Sequence, residues 1–209
     1  MSETKTYIYR MTHYSNIDFV LREGLHCCNC EPQDPEYTSI GYKTLINNRG
    51  RSVVSIEPGG VLNDYIPFYF HYKMPMLYNI WKKEVSDYNG TQEEIIYLVS
   101  TVEQIVALDL PFVFTDRHAY VAYLNYYNQY AELDNLNWDI IKDHNWYQSY
   151  SEQRKELKQA EFLVHRHLPV TGLLGIIAHN QEIANFVREA LDAVNSDVKL
   201  IVKPGYYYS

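Results

Sequence analysis

Residues 6–13, TYIYRMTH, alternate bulky and polar side chains as a half-buried strand does. Ser15 and Asn16 then offer caps to an apolar-periodic segment that stops at Gly24, so the chain is expected to open on a strand, a loop and a short helix. Between residues 31 and 60 the pattern breaks up. Pro32, Pro35, Pro58 and the Gly59-Gly60 pair punctuate polar, turn-forming residues, and the stretch reads as loop-rich and mobile. Apolar and aromatic character returns over 62–70, and PMLYNIW at 75–81 reads as a helix with proline in its first turn. Strands are expected at 95–100 and 111–114. Between them Thr101-Val-Glu-Gln104 fits the capping box, in which Thr and Gln satisfy each other's free amides at a helix start. The interval 118–143 carries helical spacing through Val121, Leu124, Leu133, Leu136, Trp138 and Ile141, interrupted by Asn and Tyr. Residues 151–160 suit a charged helix, 161–165 and 173–178 strands, 180–193 an amphipathic helix, and 198–202 a closing strand. Strands and helices mix without regular βαβ alternation, which favours one α+β domain over residues 1–209 rather than a doubly wound parallel sheet.

Composition narrows the partners. Lys and Arg total 18 against 26 Asp and Glu, a net charge of −8 that argues against a generic polyanion binder. With 46% hydrophobic and 21% charged residues the chain has a globular balance rather than a disordered one. No apolar run reaches the roughly eighteen residues of a membrane helix, and MSETKTYIYR lacks a secretory signal's apolar core, so a soluble cytoplasmic protein is expected. Most of the 21 tyrosines are assigned to strands and core edges, where aromatics are favoured. Cys27, Cys28 and Cys30 sit in His26-Cys-Cys-Asn-Cys, a run that invites a zinc reading. Adjacent cysteines do not easily both turn onto one tetrahedral ion, and no second cysteine pair exists; the expectation is reduced thiols and no metal.

Four polar clusters join donors to strand ends: Arg10-Met-Thr-His13, Arg49-Gly-Arg51, Thr115-Asp-Arg-His118 and Lys158-Gln-Ala-Glu161. Singly, each reads as a solvated or ion-paired strand end. Glu161 differs, because it opens the otherwise apolar run Phe162-Leu163-Val164 and so meets a core edge where its orientation is controlled; it is a candidate catalytic acid or base. Rossmann and Walker glycine loops, a Gly-x-Ser-x-Gly elbow and an HExxH pair are all missing from the sequence. What remains is arginines for a pyrophosphate, aromatics for stacking and one carboxylate, a set suited to an NAD-like or other phosphate-bearing ligand. Lys43, Arg49, Arg51, Arg154, Lys155, Lys158 and Arg166 are basic residues that either line one nucleic-acid-facing surface or form a solvated face.

Five segments carry a family resemblance: IYRMTH at 8–13, PGGVLNDYIPFYF at 58–70, PMLY at 75–78, PFVFTDRH at 111–118 and KQAEFLV at 158–164. In this order, and across nearly the whole chain, they resemble the DarT toxins, which ADP-ribosylate DNA using NAD. The resemblance implies an ADP-ribosyltransferase fold, with a split, largely antiparallel sheet and NAD in a central cleft. It implies NAD as co-substrate, no metal, single-stranded DNA as acceptor with thymine favoured and guanine as the other base, and a macrodomain-containing antitoxin as partner. Transfer to RNA or protein, and a non-catalytic nucleic-acid-binding module, are the competing readings.

Carried onto this sequence, the resemblance makes Glu161 the catalytic glutamate and Arg49 the catalytic arginine, with Arg51 a rival in the same loop. Tyr69 and Met76 match positions that pack on nicotinamide and its ribose, and Thr12 and His13 lie in the first-strand motif that contacts NAD. His118 matches a position beside the site, with Arg154, Lys155 and Arg166 expected toward the DNA. Where the family carries His-x-Thr-His this chain has Arg10-Met-Thr-His13, which either places a guanidinium near the NAD phosphate or ribose or marks a branch with a different target base.

Overall fold

In the computed structural model, which describes residues 5–209, the chain forms in order β1 (Tyr7–His13), α1 (Ile17–Glu23), β2 (Leu25–His26), α2 (Lys43–Arg49), β3 (Tyr65–Tyr69), α3 (Pro75–Trp81), β4 (Ile95–Thr101), α4 (Val102–Ala107) and β5 (Phe112–Thr115). It continues through β6 (Tyr126–Tyr127), α5 (Trp138–Lys142), α6 (Glu152–Lys158), β7 (Glu161–His165), β8 (His167–Leu168), β9 (Gly175–Ala178), α7 (Gln181–Ala193) and β10 (Lys199–Val202). Eight strands make one sheet in the order β10-β9-β4-β1-β3-β7-β5-β6, and β2 pairs with β8 in a second. Every neighbouring pair is antiparallel except β9 with β10. This is the α+β, largely antiparallel architecture expected from the sequence.

The sheet divides at one seam. β1 and β4 pair along seven residues, from Tyr7↔Thr101 to His13↔Ile95, and β3 and β7 along five. Between these two blocks β1 and β3 meet at Tyr9↔Tyr69 alone. Beyond that pair the strands share no further register, and the Arg10 side chain of β1 reaches across to donate to Pro67 O of β3 at 3.1 Å.

Burial explains why β4 reads as a continuous apolar run: all seven of its residues are buried, and its side chains supply two cores in alternation. Ile96 and Leu98 join Ile8, Phe68, Phe162 and the inward residues of α1 and α7. Ile95, Tyr97 and Val99 pack on the opposite face with Tyr9, Leu77, Tyr207 and Tyr208. This second core absorbs much of the tyrosine excess, and its hydroxyls find backbone acceptors: Tyr97 donates to Tyr72 O at 2.7 Å and Tyr207 to Ile95 O at 2.8 Å. α1 stops where expected, because Gly24 has φ +80° and a Cβ there would lie 2.4 Å from Leu168 O.

Two expectations fail. The segment read as loop contains α2, which has no buried residue and therefore lacks the apolar stripe by which helices are recognised. The helical spacing over 118–143 does not form one helix: the chain makes a loop, β6, a 3-10 turn at Tyr130–Asn135 and only then α5. Leu133, Leu136 and Ile141 are buried from separate short pieces, whereas Val121 and Leu124 are not buried. At α4 the expected cap is half realised: Thr101 Oγ1 accepts from Gln104 N at 3.1 Å, while the Gln104 amide turns away to donate to Thr171 O.

Candidate active site

The gap between β1 and β3 opens into a cleft of about 800 Å³, within the range of small-molecule and cofactor sites. Arg10, Met11 and Thr12 of β1 form one wall, Pro67 and Tyr69 of β3 the floor with Glu161 of β7, and Pro75 and Met76 of α3 a third side. The segment 39–46 and Arg49 cover it, and α6 contributes Lys155 and Glu156 at the mouth.

Glu161 is fully buried on the register pair Tyr69↔Glu161, at the strand end that meets the cleft. Two groups bond its carboxylate and a third lies beside it. Ala119 N donates to Oε1 at 3.0 Å, Arg49 Nη1 donates to Oε2 at 3.0 Å and Oε1 at 3.3 Å, and His118 Nε2 lies 3.8 Å from Oε1. Its own backbone N–H donates to Thr115 Oγ1 at 3.2 Å, and that hydroxyl donates to Arg117 O at 2.6 Å, so the loop after β5 and the start of β7 are fixed to each other. The loop is closed at its base by Asn125, whose N–H and amide donate to the two oxygens of the buried Asp116 at 3.0 and 2.8 Å.

The charges around the carboxylate follow from this geometry. Burial works against the Arg49 cation, but the Glu161 carboxylate outweighs it and lifts the guanidinium above its ordinary value. Arg49 Nη2 is buried without a hydrogen-bond partner, which leaves one guanidinium donor unspent inside the cleft. Burial lowers the His118 imidazole, Glu161 opposing and Arg49 assisting, so the ring is neutral near pH 7. Burial raises the Tyr69 phenol, and Glu161 adds to the effect while Arg49 and Arg10 oppose it; it acts as a neutral hydroxyl and an aromatic face.

Arg10, Thr12, Tyr69, Met76, Arg49, His118, Lys155 and Glu161 thus converge on one cleft. Four other residues do not line it. His13 turns away, accepting from Ser15 N at 3.3 Å and lying 2.7 Å from Ser15 Oγ. Arg51 is exposed past the end of α2, although its neighbour Arg49 reaches Glu161. Arg154 pairs with Asp143, and Arg166 is exposed beyond the far end of β7. The basic face expected from the sequence is further reduced by Lys158, which is fully buried and donates to Asp143 O at 2.8 Å. The sequence reading missed Asn16 and Tyr120, both of which line the cleft. Asn16 looked like a helix cap, and Tyr120 lay inside the interval read as helix. Cys28 is exposed at the cleft and Cys27 is buried, its thiol pushed up to about 12 chiefly by burial. Among the described residues no group of three or more His, Cys, Asp or Glu could hold a metal ion, and no helix is long and apolar enough to cross a membrane.

A family model described as DarT, ssDNA thymidine ADP-ribosyltransferase, matches residues 9–208. A DNA ADP-ribosyl transferase of Escherichia coli O127:H6 is 36% identical over 210 residues, covering 100% of this chain and 96% of that protein. Among solved structures, Thermus sp. 2.9 DarT in complex with ADP-ribosylated ssDNA superposes with a TM-score of 0.91 at 35% identity, covering 98% of this chain and 97% of that one. The same Thermus protein in complex with NAD+ gives 0.88 at 33% identity with 100% of each chain covered.

Proposed function

Because the chain belongs to the DarT family of single-stranded-DNA thymidine ADP-ribosyltransferases, we propose that its cleft takes NAD as co-substrate, transfers ADP-ribose to a thymine in single-stranded DNA, and uses Glu161 as the catalytic carboxylate. The observation that carries the site assignment is one buried carboxylate, bonded by Arg49 and Ala119 N, at the floor of the split in the sheet.

The chemistry suits that carboxylate. Breaking the bond between C1′ of the NAD ribose and nicotinamide releases a neutral leaving group and builds positive charge on the sugar. A fixed anion beside it stabilises the transition state more than the ground state. Thymidine has a single ring N–H, so forming the new N–C1′ bond requires that proton to leave, and Glu161, with neutral His118 at 3.8 Å, supplies the acceptor. Arg49 orients the carboxylate through Nη1 and offers Nη2 to a phosphate or a base carbonyl. Arg10 is the second cation for the pyrophosphate, Thr12 a hydroxyl on the adjacent wall, and Tyr69 and Met76 an apolar bed for nicotinamide and ribose. Lys155 at the mouth serves the DNA backbone.

A cytoplasmic place of action and a neutralising partner that carries an ADP-ribose-removing macrodomain complete this reading; they rest on the family and on the product, a DNA adduct that such a domain would reverse. The test is incubation with NAD and short oligonucleotides that differ in one base, followed by mass spectrometry. One added ADP-ribose on thymine-containing strands, lost in Glu161→Ala, is the expected result. Nicotinamide release with protein or RNA labelled instead, or an active Glu161→Ala, would overturn it.

A further inference from the structure

Asn16 stands at the N-cap of α1, where an Asn side chain normally accepts from a free helix N–H, yet its side chain makes no capping bond. The amide is spent elsewhere. Its nitrogen donates to Thr12 Oγ1 at 2.9 Å and to Thr38 O at 2.9 Å, and its oxygen accepts from Thr38 N at 2.8 Å. Both N–H donors and the carbonyl are therefore used, at a site only 1% exposed. One side chain thus holds both backbone groups of Thr38 as a neighbouring strand would. Ser15 adds a third tie, its Oγ lying 3.1 Å from Thr38 Oγ1 and 2.7 Å from His13 Nδ1.

What Thr38 begins gives this arrangement its weight. Residues 39–42 line the cleft and lead into α2, whose last residue, Arg49, meets Glu161. α2 has no buried residue and no side-chain cap, so its own packing does not fix it. Polar ties hold it instead: at its C-terminal end Arg49 to Glu161, Asn48 to Tyr120 and Asn63 to Ile46 O; at its N-terminal end Tyr42 to Glu84 O, Lys43 N to Asp87 at 3.0 Å, and the Thr38 clamp upstream.

We infer that Asn16 is a positioning residue for the co-substrate: by clamping the Thr38 backbone it holds the 38–49 cover, and with it Arg49, in the arrangement that binds NAD. The inference rests on the proposed NAD-dependent transfer at the same cleft. Without the clamp the cover samples open arrangements, and apparent NAD affinity falls with the fraction that stays competent. Bound NAD restores the closed arrangement, so turnover at saturation survives.

Asn16→Ala should raise the NAD KM by about tenfold or more while kcat at saturating NAD stays within about threefold. Thr38→Pro, which removes the N–H that Asn16 accepts, should reproduce the effect, whereas Thr38→Ala, which keeps both backbone groups, should leave KM within about twofold. Limited proteolysis without NAD provides a readout independent of activity: in Asn16→Ala, cuts should appear between residues 31 and 49 and be suppressed by NAD. An unchanged KM in Asn16→Ala, or a loss confined to kcat with a lowered melting temperature and no new cuts, would overturn the assignment. Absence of NAD-dependent transfer in the unmodified protein would instead sink the reading of the function, while the proteolysis arm still judges the clamp.

Discussion

At the scale of single residues, the buried Arg49–Glu161 pair ties stability to chemistry. Glu161→Gln keeps the shape and an oxygen for Ala119 N but removes the charge that would stabilise the sugar cation, so transfer should fall by at least about 10²–10³-fold with the fold retained; mass spectrometry of the oligonucleotide product, beside a thermal melt, measures both. Arg49→Ala should cost about as much, whereas Arg51→Ala should stay within about threefold, because only Arg49 reaches the carboxylate. Equal losses would show that the exposed guanidinium takes part. Lys158 gives a pH effect of calculable sign. Burial lowers its pKa from 10.5 to about 7, Asp143 opposing and Arg154 assisting, while the nearby His71, lowered to about 3 by burial and by Lys158 itself, stays neutral and accepts from Nζ at 3.3 Å. Between pH 7 and the onset of tyrosine ionisation the unfolded chain then binds more protons than the folded one. This contribution to stability therefore grows as pH rises, by at most about 1.4 kcal/mol per unit. Urea unfolding at pH 7, 8 and 9 should show that rise in the unmodified protein and lose it in Lys158→Met. Glu161 was legible in the sequence because a carboxylate before an apolar run is anomalous. Lys158, three residues earlier, looked like another surface charge, since nothing in its neighbours reveals that Asp143 O and His71 close over it.

At the scale of elements, the strands were the readable part. β1, β3, β4, β7 and β9 announce themselves by apolar runs or alternation because burial on one or both faces dictates their composition. The two misread segments are the two that shape the cleft. α2 carries Leu45, Ile46 and Arg49 toward a ligand space rather than toward a core, so burial imposes no apolar stripe on its sequence. The loop 116–125 is held by polar contacts: the Asp116 carboxylate receives both Asn125 donors, and the backbone of Ala119 hangs from Glu161. Such long-range polar closure has no periodicity. It does have a consequence. Asn125→Ala removes the amide bond to Asp116 Oδ2 while the backbone bond and Arg117 remain, and so loosens without releasing the arch that delivers Ala119 N and His118 to the carboxylate. Transfer should drop about tenfold while unfolding free energy changes by no more than about 1–2 kcal/mol, a cost typical of one lost charge-assisted bond. Steady-state rates alongside denaturant midpoints separate the two effects. A proportionate fall in both would mean that the clamp serves stability alone.

For the molecule as a whole, the net charge of −8 and the DNA substrate have to be reconciled, and the cleft shows how. Its lining has Arg10, Arg49 and Lys155 as cations against Asp34, Glu152, Glu156 and Glu161 as anions, so it presents no continuous positive track. Two of those cations are already engaged, Arg49 by Glu161 and Arg10 by Pro67 O at 3.1 Å, which leaves Lys155 for the strand's backbone. An enzyme built this way recognises its strand by unstacking and holding a base, with Tyr120 at the opening, its hydroxyl bonded to Asn48 at 3.1 Å. Each neutralised phosphate of a single strand contributes a slope of about −0.7 to log K against log salt. Oligonucleotide binding, followed by fluorescence anisotropy in the presence of NAD across a range of salt, should therefore show a slope of about −0.7, and Lys155→Ala should bring it close to zero. A slope steeper than about −4 that is indifferent to Lys155 would place the main DNA contact on some other face, away from the split between β1 and β3.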